Sequence, residues 1–112
     1  MIAREWKCKC PNTNKENFLE YLYKTGVDEA SKTSGFLGVQ IFSRDLQGIS
    51  EITLITFWDK IESIKTFSGE DINVAKLYPE DHKFEIEPEL SVKHYSVIEH
   101  EFKNGVLAKG RL

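Results

Sequence analysis

The sequence has no long hydrophobic run. None of its apolar stretches reaches the roughly 18 residues that a membrane span requires, so no membrane partner is expected. The N-terminal stretch MIAREWKCKC carries charges where a signal peptide needs its apolar segment. The default expectation is therefore a cytoplasmic protein.

An excess of charge of either sign is also missing. The chain has 15 Lys and Arg residues against 18 Asp and Glu residues, which gives a net charge of −3. The two signs are intermixed along the sequence, so no surface suited to a polyanion is expected. Nucleic acid is therefore not an expected partner.

Cysteine and histidine are scarce, which limits metal and redox chemistry. Cys8 and Cys10 would fall on the same face of a strand, a geometry that does not readily close into a disulfide, so we expect two reduced, largely buried thiols. The three histidines have neither HxxxH nor HxH spacing. A serine nucleophile elbow and a glycine-rich phosphate loop are also absent. We accordingly expect no metal site and no cofactor.

Alternating apolar residues predict the strands. The predicted strands are residues 2–10, 36–44, 51–58 and 91–99. The third is apolar on both faces at its centre, which is typical of a strand that is covered on both sides. A chain of 112 residues suits one domain. We predict that this domain spans residues 1–100 and that residues 101–112 form a C-terminal tail.

Capping residues and glycines predict the helices. Thr13 opens a capping-box pattern, and Gly26 is a plausible stop for the helix that follows it. Asp59 is the predicted N-cap of a second helix, which Gly69 ends. Residues 71–77 are predicted to form a short third helix.

The resulting order, β-α-β-β-α-β, predicts an α+β fold of the ferredoxin-like type. In that fold a four-stranded antiparallel sheet carries its helices on one face. The other face cannot be wholly polar, because the third strand is apolar on both sides. Burial against a second copy is the simplest solution, so we expect a homodimer that packs sheet to sheet.

Several short segments carry a family resemblance. They are Ile2-Ala3-Arg4-x-Trp6, Phe18-Leu19-x-Tyr21-Leu22-x-x-Thr25-Gly26, Gly35-Phe36-Leu37-Gly38, Phe57-Trp58-Asp59, Ile64-x-x-Phe67-x-Gly69-x-Asp71, Ala75-x-x-Tyr78-Pro79-Glu80-Asp81 and His94-Tyr95. Together they resemble the dimeric α/β-barrel superfamily, and within it the small antibiotic-biosynthesis-monooxygenase-like (ABM) proteins. The resemblance implies a dimeric α/β barrel with a pocket between sheet and helices.

Heme-degrading members of the superfamily resemble the chain at the Trp58 turn. They use an asparagine on the first strand, a tryptophan in the second helix and a histidine further along. Here the first strand has no asparagine, the helix position is Phe67, and the later position is Leu77. Heme degradation is therefore disfavoured.

The candidate catalytic residues are His94, Trp58, Tyr78 and Arg4. As a general base, His94 has a near-neutral pKa that would suit removing a phenol proton. The Trp58 indole would stack on or hydrogen-bond an aromatic ligand, and Arg4 would neutralise a phenolate or carboxylate. The residues expected to line the pocket are Trp6, Phe57, Phe67 and Asp81.

Each candidate also has a structural interpretation. Trp58 would pack the corner between strand and helix, and His94 would be a hydrogen-bonded core or interface histidine. Arg4 would pair with an acidic residue such as Asp81. Tyr78 and Asp81 would serve local turn structure. The sequence alone leaves both interpretations of each residue open.

The quinone-forming ABM enzymes oxidise phenolic polyketides without metal or flavin. The resemblance therefore implies a cofactor-independent monooxygenase that acts on a small aromatic or polyketide-like compound. The alternative is a non-catalytic dimeric protein that binds a ligand or responds to stress with the same fold. An isomerase or decarboxylase of small ring compounds is a third hypothesis, because one fold supports many reactions.

Overall fold

The computed structural model describes residues 1–103. Its strands are β1 (Ile2–Pro11), β2 (Phe36–Leu46), β3 (Ile49–Trp58), β4 (Glu87–Pro88) and β5 (Lys93–Ser96). Its α-helices are α1 (Lys15–Leu22), α2 (Asp28–Ser31) and α3 (Ile61–Ser68). Single 3₁₀ turns span Asn12–Asn14 and Asp81–Phe84, and a π-helical turn spans Tyr23–Val27.

The sheet is antiparallel, and its strand order confirms the predicted ferredoxin-like α+β fold. Strand β3 lies between β2 and β1, and both β4 and β5 pair with the free edge of β1. Strand β5 pairs with the stretch Ile2 to Glu5, and β4 pairs with Cys8 and Lys9. Two short strands therefore share the fourth position of the sheet.

This split corrects the predicted single strand over residues 91–99. Between β4 and β5 the backbone turns away from β1 to bond a different segment. The N–H of Ala75 donates to the carbonyl of Leu90, and the N–H of Val92 donates to the carbonyl of Asn73. Because these groups are already paired, they cannot extend the ladder along β1.

The helices cover one face of the sheet, as predicted. One core cluster joins β1 and β3 to α1, and its members include Trp6, Phe18, Leu22 and Ile52. A second cluster joins β2, β3 and α3 around Trp58 and Ile64. The same face of β1 buries Cys8 and Cys10, which confirms the predicted burial of both thiols. Burial raises the pKa of Cys8 to about 12, so this thiol stays protonated at neutral pH.

Gly26 does not end the first helix, contrary to the prediction. The chain continues through the π-helical turn into α2. Gly26 is buried there, and a Cβ at this position would lie 3.5 Å from the Tyr78 ring. The glycine therefore serves close packing inside the helix.

The other predicted helix ends are partly correct. Thr13 gives no side-chain cap, because a 3₁₀ turn occupies its position. Asp59 lies one residue before the N-cap of α3, and its carboxylate accepts a hydrogen bond of 2.6 Å from Ser63 Oγ. Gly69 follows the last residue of α3 with φ of 101°, which confirms it as the stop.

The predicted third helix over residues 71–77 is wrong. The stretch is a loop with one isolated bridge, from Val74 to Ser91. The carbonyls of Ile72 and Val74 accept hydrogen bonds from the Arg4 guanidinium, and the backbone of Asn73 and Ala75 pairs with that of Val92 and Leu90. A tertiary contact therefore overrides the local pattern.

The second face of the sheet carries no helix within residues 1–103. Glu5, Lys7 and Lys9 lie there, and Phe42 and Tyr95 are about half exposed on it. The chain after β5 crosses one end of this face, where the His100 ring lies 4.8 Å from that of Phe57. Residues 104–112 of the predicted tail lie outside the described residues. No helix within residues 1–103 is long and apolar enough to span a membrane.

Candidate functional site

A cavity of about 40 Å³ lies between the sheet and the helices. Its walls come from β1, β3, the first helical region and the segment between α3 and β4. The lining residues are Arg4, Trp6, Leu22, Gly26, Leu54, Thr56, Phe67, Lys76, Tyr78, Asp81 and Val92. Five of the residues predicted from the sequence therefore meet here: Arg4, Trp6, Phe67, Tyr78 and Asp81.

Arg4 is the most deeply buried charge of the site. Strand alternation turns its side chain toward the helices, and the residue is 5% exposed. Nη1 donates to the carbonyl of Ile72, and Nη2 donates to the carbonyl of Val74 over 3.1 Å. Burial lowers the pKa of Arg4 to about 10, so the guanidinium is still protonated at neutral pH. The ion pair with Asp81 is not formed.

His94 lies beside Arg4 because β5 pairs the two residues across the sheet. Arg4 Nη1 lies 3.0 Å from His94 Nε2. A guanidinium can only donate, so Nε2 is the acceptor and the neutral ring carries its proton on Nδ1. Burial and the charge of Arg4 both lower the pKa of His94. The basic lone pair of His94 thus faces Arg4, and the residue does not line the cavity.

A polar cluster at the surface closes the cavity. Tyr78 donates from its hydroxyl to Glu29 Oε2 over 2.9 Å, and Lys76 forms an ion pair with the same carboxylate. Lys76 also donates to the carbonyl of Phe67 over 2.7 Å and lies over the Phe67 ring. Burial and the Glu29 carboxylate raise the pKa of Tyr78, so its phenol stays protonated. We call residues 69–81 the closing segment.

Asp81 forms the end of the closing segment. Its Oδ2 accepts a hydrogen bond of 2.8 Å from the N–H of Tyr78, as the structural interpretation of this residue anticipates. Burial raises the pKa of Asp81 above its ordinary value. Its second carboxylate oxygen, Oδ1, has no hydrogen-bond donor among residues 1–103. Asp81 is thus a cavity group that can take up a proton.

Trp58 and Phe57 lie outside the cavity lining. Trp58 is fully buried, donates from Nε1 to Thr56 Oγ1 over 2.8 Å, and packs on Phe36 and Phe67. Phe57 is its neighbour on β3, and strand alternation turns it to the other face of the sheet. Neither residue can therefore touch a ligand in this cavity.

Besides the apolar lining residues Leu22, Leu54 and Val92, sequence reasoning missed Gly26, Glu29, Thr56 and Lys76. Gly26 had a usable signal, because a glycine inside an apolar helical pattern often marks a close contact. The other three are ordinary polar residues in their local context. Among residues 1–103, no three His, Cys, Asp or Glu side chains cluster in a way that would hold a metal ion.

Solved structures share this architecture. One of them is an arginine-to-serine variant of MhuD with two manganese protoporphyrin IX molecules bound per active site. It matches this chain with a TM-score of 0.61 at 15% sequence identity, and the match covers 92% of this chain and 100% of that chain. A Bacillus cereus protein, provisionally assigned as an antibiotic biosynthesis monooxygenase, has a TM-score of 0.54 and 18% identity, covering 92% and 97%. A dimeric ferredoxin-like protein from an uncultured marine organism has a TM-score of 0.58 and 14% identity, covering 92% and 100%.

The chain shares the ferredoxin-like fold of these solved structures. The family resemblance drawn from the sequence is therefore confirmed at the level of the fold. No protein-family model and no curated protein matches the chain. At 14–18% identity the structural likeness shows the fold alone, and one fold supports many reactions.

Proposed function

We propose that this ABM-like chain is a cofactor-independent monooxygenase that acts on a small aromatic compound with an ionisable hydroxyl. The observation that carries the proposal is the buried guanidinium of Arg4 in the wall of a largely apolar and aromatic cavity. A fixed positive charge in a site that excludes water stabilises an anion far more than it would in bulk solvent.

The proposed reaction begins with loss of a proton from the substrate. The resulting electron-rich anion attacks O₂ and forms a carbon–oxygen bond, giving a peroxide. Loss of water from the protonated peroxide then leaves a carbonyl group. The balance is R₂CH₂ + O₂ → R₂C=O + H₂O, so the substrate supplies all the electrons and no external reductant is needed.

Within this scheme the candidate residues take different roles. Arg4 stabilises the substrate anion, and Tyr78 lines the same cavity while its hydroxyl donates to Glu29. Asp81 is the proposed proton acceptor, because it lines the cavity with one carboxylate oxygen available. His94 is a positioning residue that holds Arg4, since its lone pair already accepts from the guanidinium. Trp58 supports the site only through packing.

Substrate entry requires the closing segment to move. Pockets for drug-sized ligands are roughly 300–1,000 Å³, whereas this cavity is about 40 Å³. The side-chain bonds of Lys76 and Tyr78 to Glu29 that fasten the segment lie at the surface, where such contacts contribute about 1 kcal/mol or less each. Freeing Lys76 and Tyr78 from Glu29 is therefore inexpensive compared with unfolding.

A porphyrin does not fit this cavity. None of the three histidines lines it, and Arg4 engages the Nε2 lone pair of His94, so no histidine is placed to bind iron.

The proposal includes a cytoplasmic homodimer. The helix-free face of the sheet offers half-exposed Phe42 and Tyr95 to a second copy, and one structural neighbour is described as dimeric.

Oxygen consumption tests the proposed reaction. The purified chain is mixed with anthrone, hydroquinone or phenol in the presence of a metal chelator, and O₂ uptake is compared with autoxidation. We expect uptake above background that falls at least about tenfold in Arg4→Lys, the loss of one charge-assisted interaction. Arg44→Gln, which removes an exposed arginine distant from the cavity, is the matched control. Uptake at the background rate with every compound would refute the proposal.

The second candidate is a non-catalytic ligand-binding dimer. Two observations favour it. The cavity is small, and the lone pair of His94 already accepts from Arg4, so this histidine cannot act as a general base in the present arrangement. It predicts that aromatic compounds raise the melting temperature without any O₂ uptake.

A further inference from the structure

Arg4 has two N–H groups that no residue in the described part of the chain accepts. A guanidinium carries five N–H donors. Two on Nη1 point to Ile72 and His94, and one on Nη2 points to Val74. The Nε–H and the second Nη2 hydrogen remain. In a guanidinium the Nη2 hydrogen on the Nε side points parallel to the Nε–H, and the two form one edge.

This edge faces accessible space. Within residues 1–103, every fully buried side-chain nitrogen and oxygen has a hydrogen-bond partner. Nε has none, so it must retain some accessible surface. Arg4 is only 5% exposed, and the space it lines is the cavity. Nε is therefore an accessible donor on a side chain that is almost fully buried and lines the cavity.

The charge of Arg4 is also uncompensated. Its three acceptors are two backbone carbonyls and a neutral imidazole, which satisfy hydrogen bonds and supply no negative charge. No carboxylate among residues 1–103 forms an ion pair with it, and Asp81 is bound to its own turn. A buried charge without a counterion is costly, and an anionic ligand would offset that cost.

We propose that the cavity binds a carboxylate, and that the substrate class is a small aromatic carboxylic acid in its ionised form. Two parallel N–H groups match the two oxygens of a carboxylate, whereas a phenolate offers one oxygen. One water needs roughly 10–15 Å³, so the cavity of about 40 Å³ holds the three heavy atoms of a carboxylate group. The ring would lie against Trp6 and Phe67 once the closing segment lifts. The proposal rests on the proposed function in taking this cavity as the substrate site.

Benzoate and its neutral analogue benzamide test the proposal on the full chain. Binding is measured by isothermal titration calorimetry and thermal shift at pH 7 and constant ionic strength set with chloride. We expect benzoate to bind and benzamide to bind at least about tenfold more weakly, because the latter lacks the charge that Arg4 requires. Equal affinity for the two compounds would overturn the proposal.

Three variants locate the site. Arg4→Lys keeps the charge and loses the parallel pair, so benzoate affinity should fall about tenfold or more. Gly26→Ala adds a methyl group to the cavity wall in ordinary contact with Tyr78 and Leu22, so the chain should fold while benzoate binding weakens. Arg44→Gln should bind benzoate as the parent does. If Arg4→Lys does not fold, the Gly26→Ala variant decides the question. Benzoate affinity equal to that of the parent would then refute the location of the carboxylate site in this cavity.

The outcomes separate this proposal from the proposed function. Benzoate binding without O₂ uptake from hydroxybenzoates would support the carboxylate site and refute the proposed monooxygenase activity. If the chain takes up O₂ with a neutral phenol and saturating benzoate does not inhibit this uptake, the carboxylate site is refuted and the monooxygenase activity is supported.

Discussion

A double-mutant cycle on Trp58 and Thr56 tests whether the indole is structural. Trp58 is fully buried between two aromatic rings, and its N–H donates to Thr56 Oγ1. Trp58→Phe removes part of the ring and leaves the threonine without its donor, at a cost of about 2–4 kcal/mol. Thr56→Val leaves a buried N–H without an acceptor and should cost about 1–3 kcal/mol. The double variant leaves neither group unpaired, so it should cost about 1–2 kcal/mol less than the sum of the two.

Urea denaturation followed by far-UV circular dichroism measures the cycle, because Trp6 and the substitution itself would complicate fluorescence. With a slope of about 1.5–2 kcal/mol per molar urea, Trp58→Phe should lower the midpoint by roughly 1–3 M. Benzoate affinity of Trp58→Phe is measured alongside. Additive costs would show that the hydrogen bond contributes nothing. Parental stability with lost benzoate binding would show that the indole contacts the ligand, and our assignment of Trp58 would fail.

Three further predictions concern His94, Gly35 and Tyr78. The pKa of His94 is lowered in the folded state, so the stability that the neutral ring contributes is present above the unfolded pKa near 6.5 and is lost as pH falls through the folded pKa. His94→Gln keeps an acceptor for Arg4 and removes this titration. The melting temperature of the variant should therefore fall less steeply between pH 8 and pH 5 than that of the parent. Gly35 has φ of 93° and a Cβ there would lie 2.1 Å from a side-chain oxygen of α3, so Gly35→Ala should cost about 2–5 kcal/mol in urea denaturation. Gly48→Ala, with φ of 70° and no atom within 4 Å, should cost only about 1–2 kcal/mol. Tyr78→Phe should cost about 0.5–1.5 kcal/mol and speed hydrogen exchange in the closing segment, and unchanged exchange there would contradict its fastening role.

The sequence was sufficient to predict which side chains share a face, because period-two alternation is a local property. It predicted that Cys8 and Cys10 share one face of the first strand and are largely buried, and the structure confirms this. It could not predict the partners of Arg4. The carbonyls that bind the guanidinium lie 68 and 70 residues away along the chain, and no local pattern encodes that distance.

The wrong predictions have a common physical origin. The stretch 71–77 has a helical pattern, yet its carbonyls turn to Arg4 instead of to the following residues. The local pattern at Gly26 predicts a helix end, yet the structure uses this glycine inside the helix, where the Tyr78 ring packs against it. Phe57 and Trp58 are adjacent aromatics in the sequence, and only the direction of the strand decides which face each one meets. In each case tertiary contact or orientation overrides a local signal.

The two edges of the Arg4 guanidinium link the closing segment to the cavity. One edge holds the carbonyls of Ile72 and Val74, and the proposed ligand would bind the other. An anion on the second edge would offset the cost of burying the charge, and so would stabilise the conformation in which the first edge holds the segment. The positive charge of Arg4 disfavours protonation of His94. The same anion would partly neutralise that charge, and so would raise the pKa of the histidine. By linkage, protonation of His94 and anion binding must then favour each other, so carboxylate affinity should increase as pH falls toward the pKa of His94. Arg4 already holds the closing segment through two carbonyls, so it would couple that segment to the binding of the proposed anion.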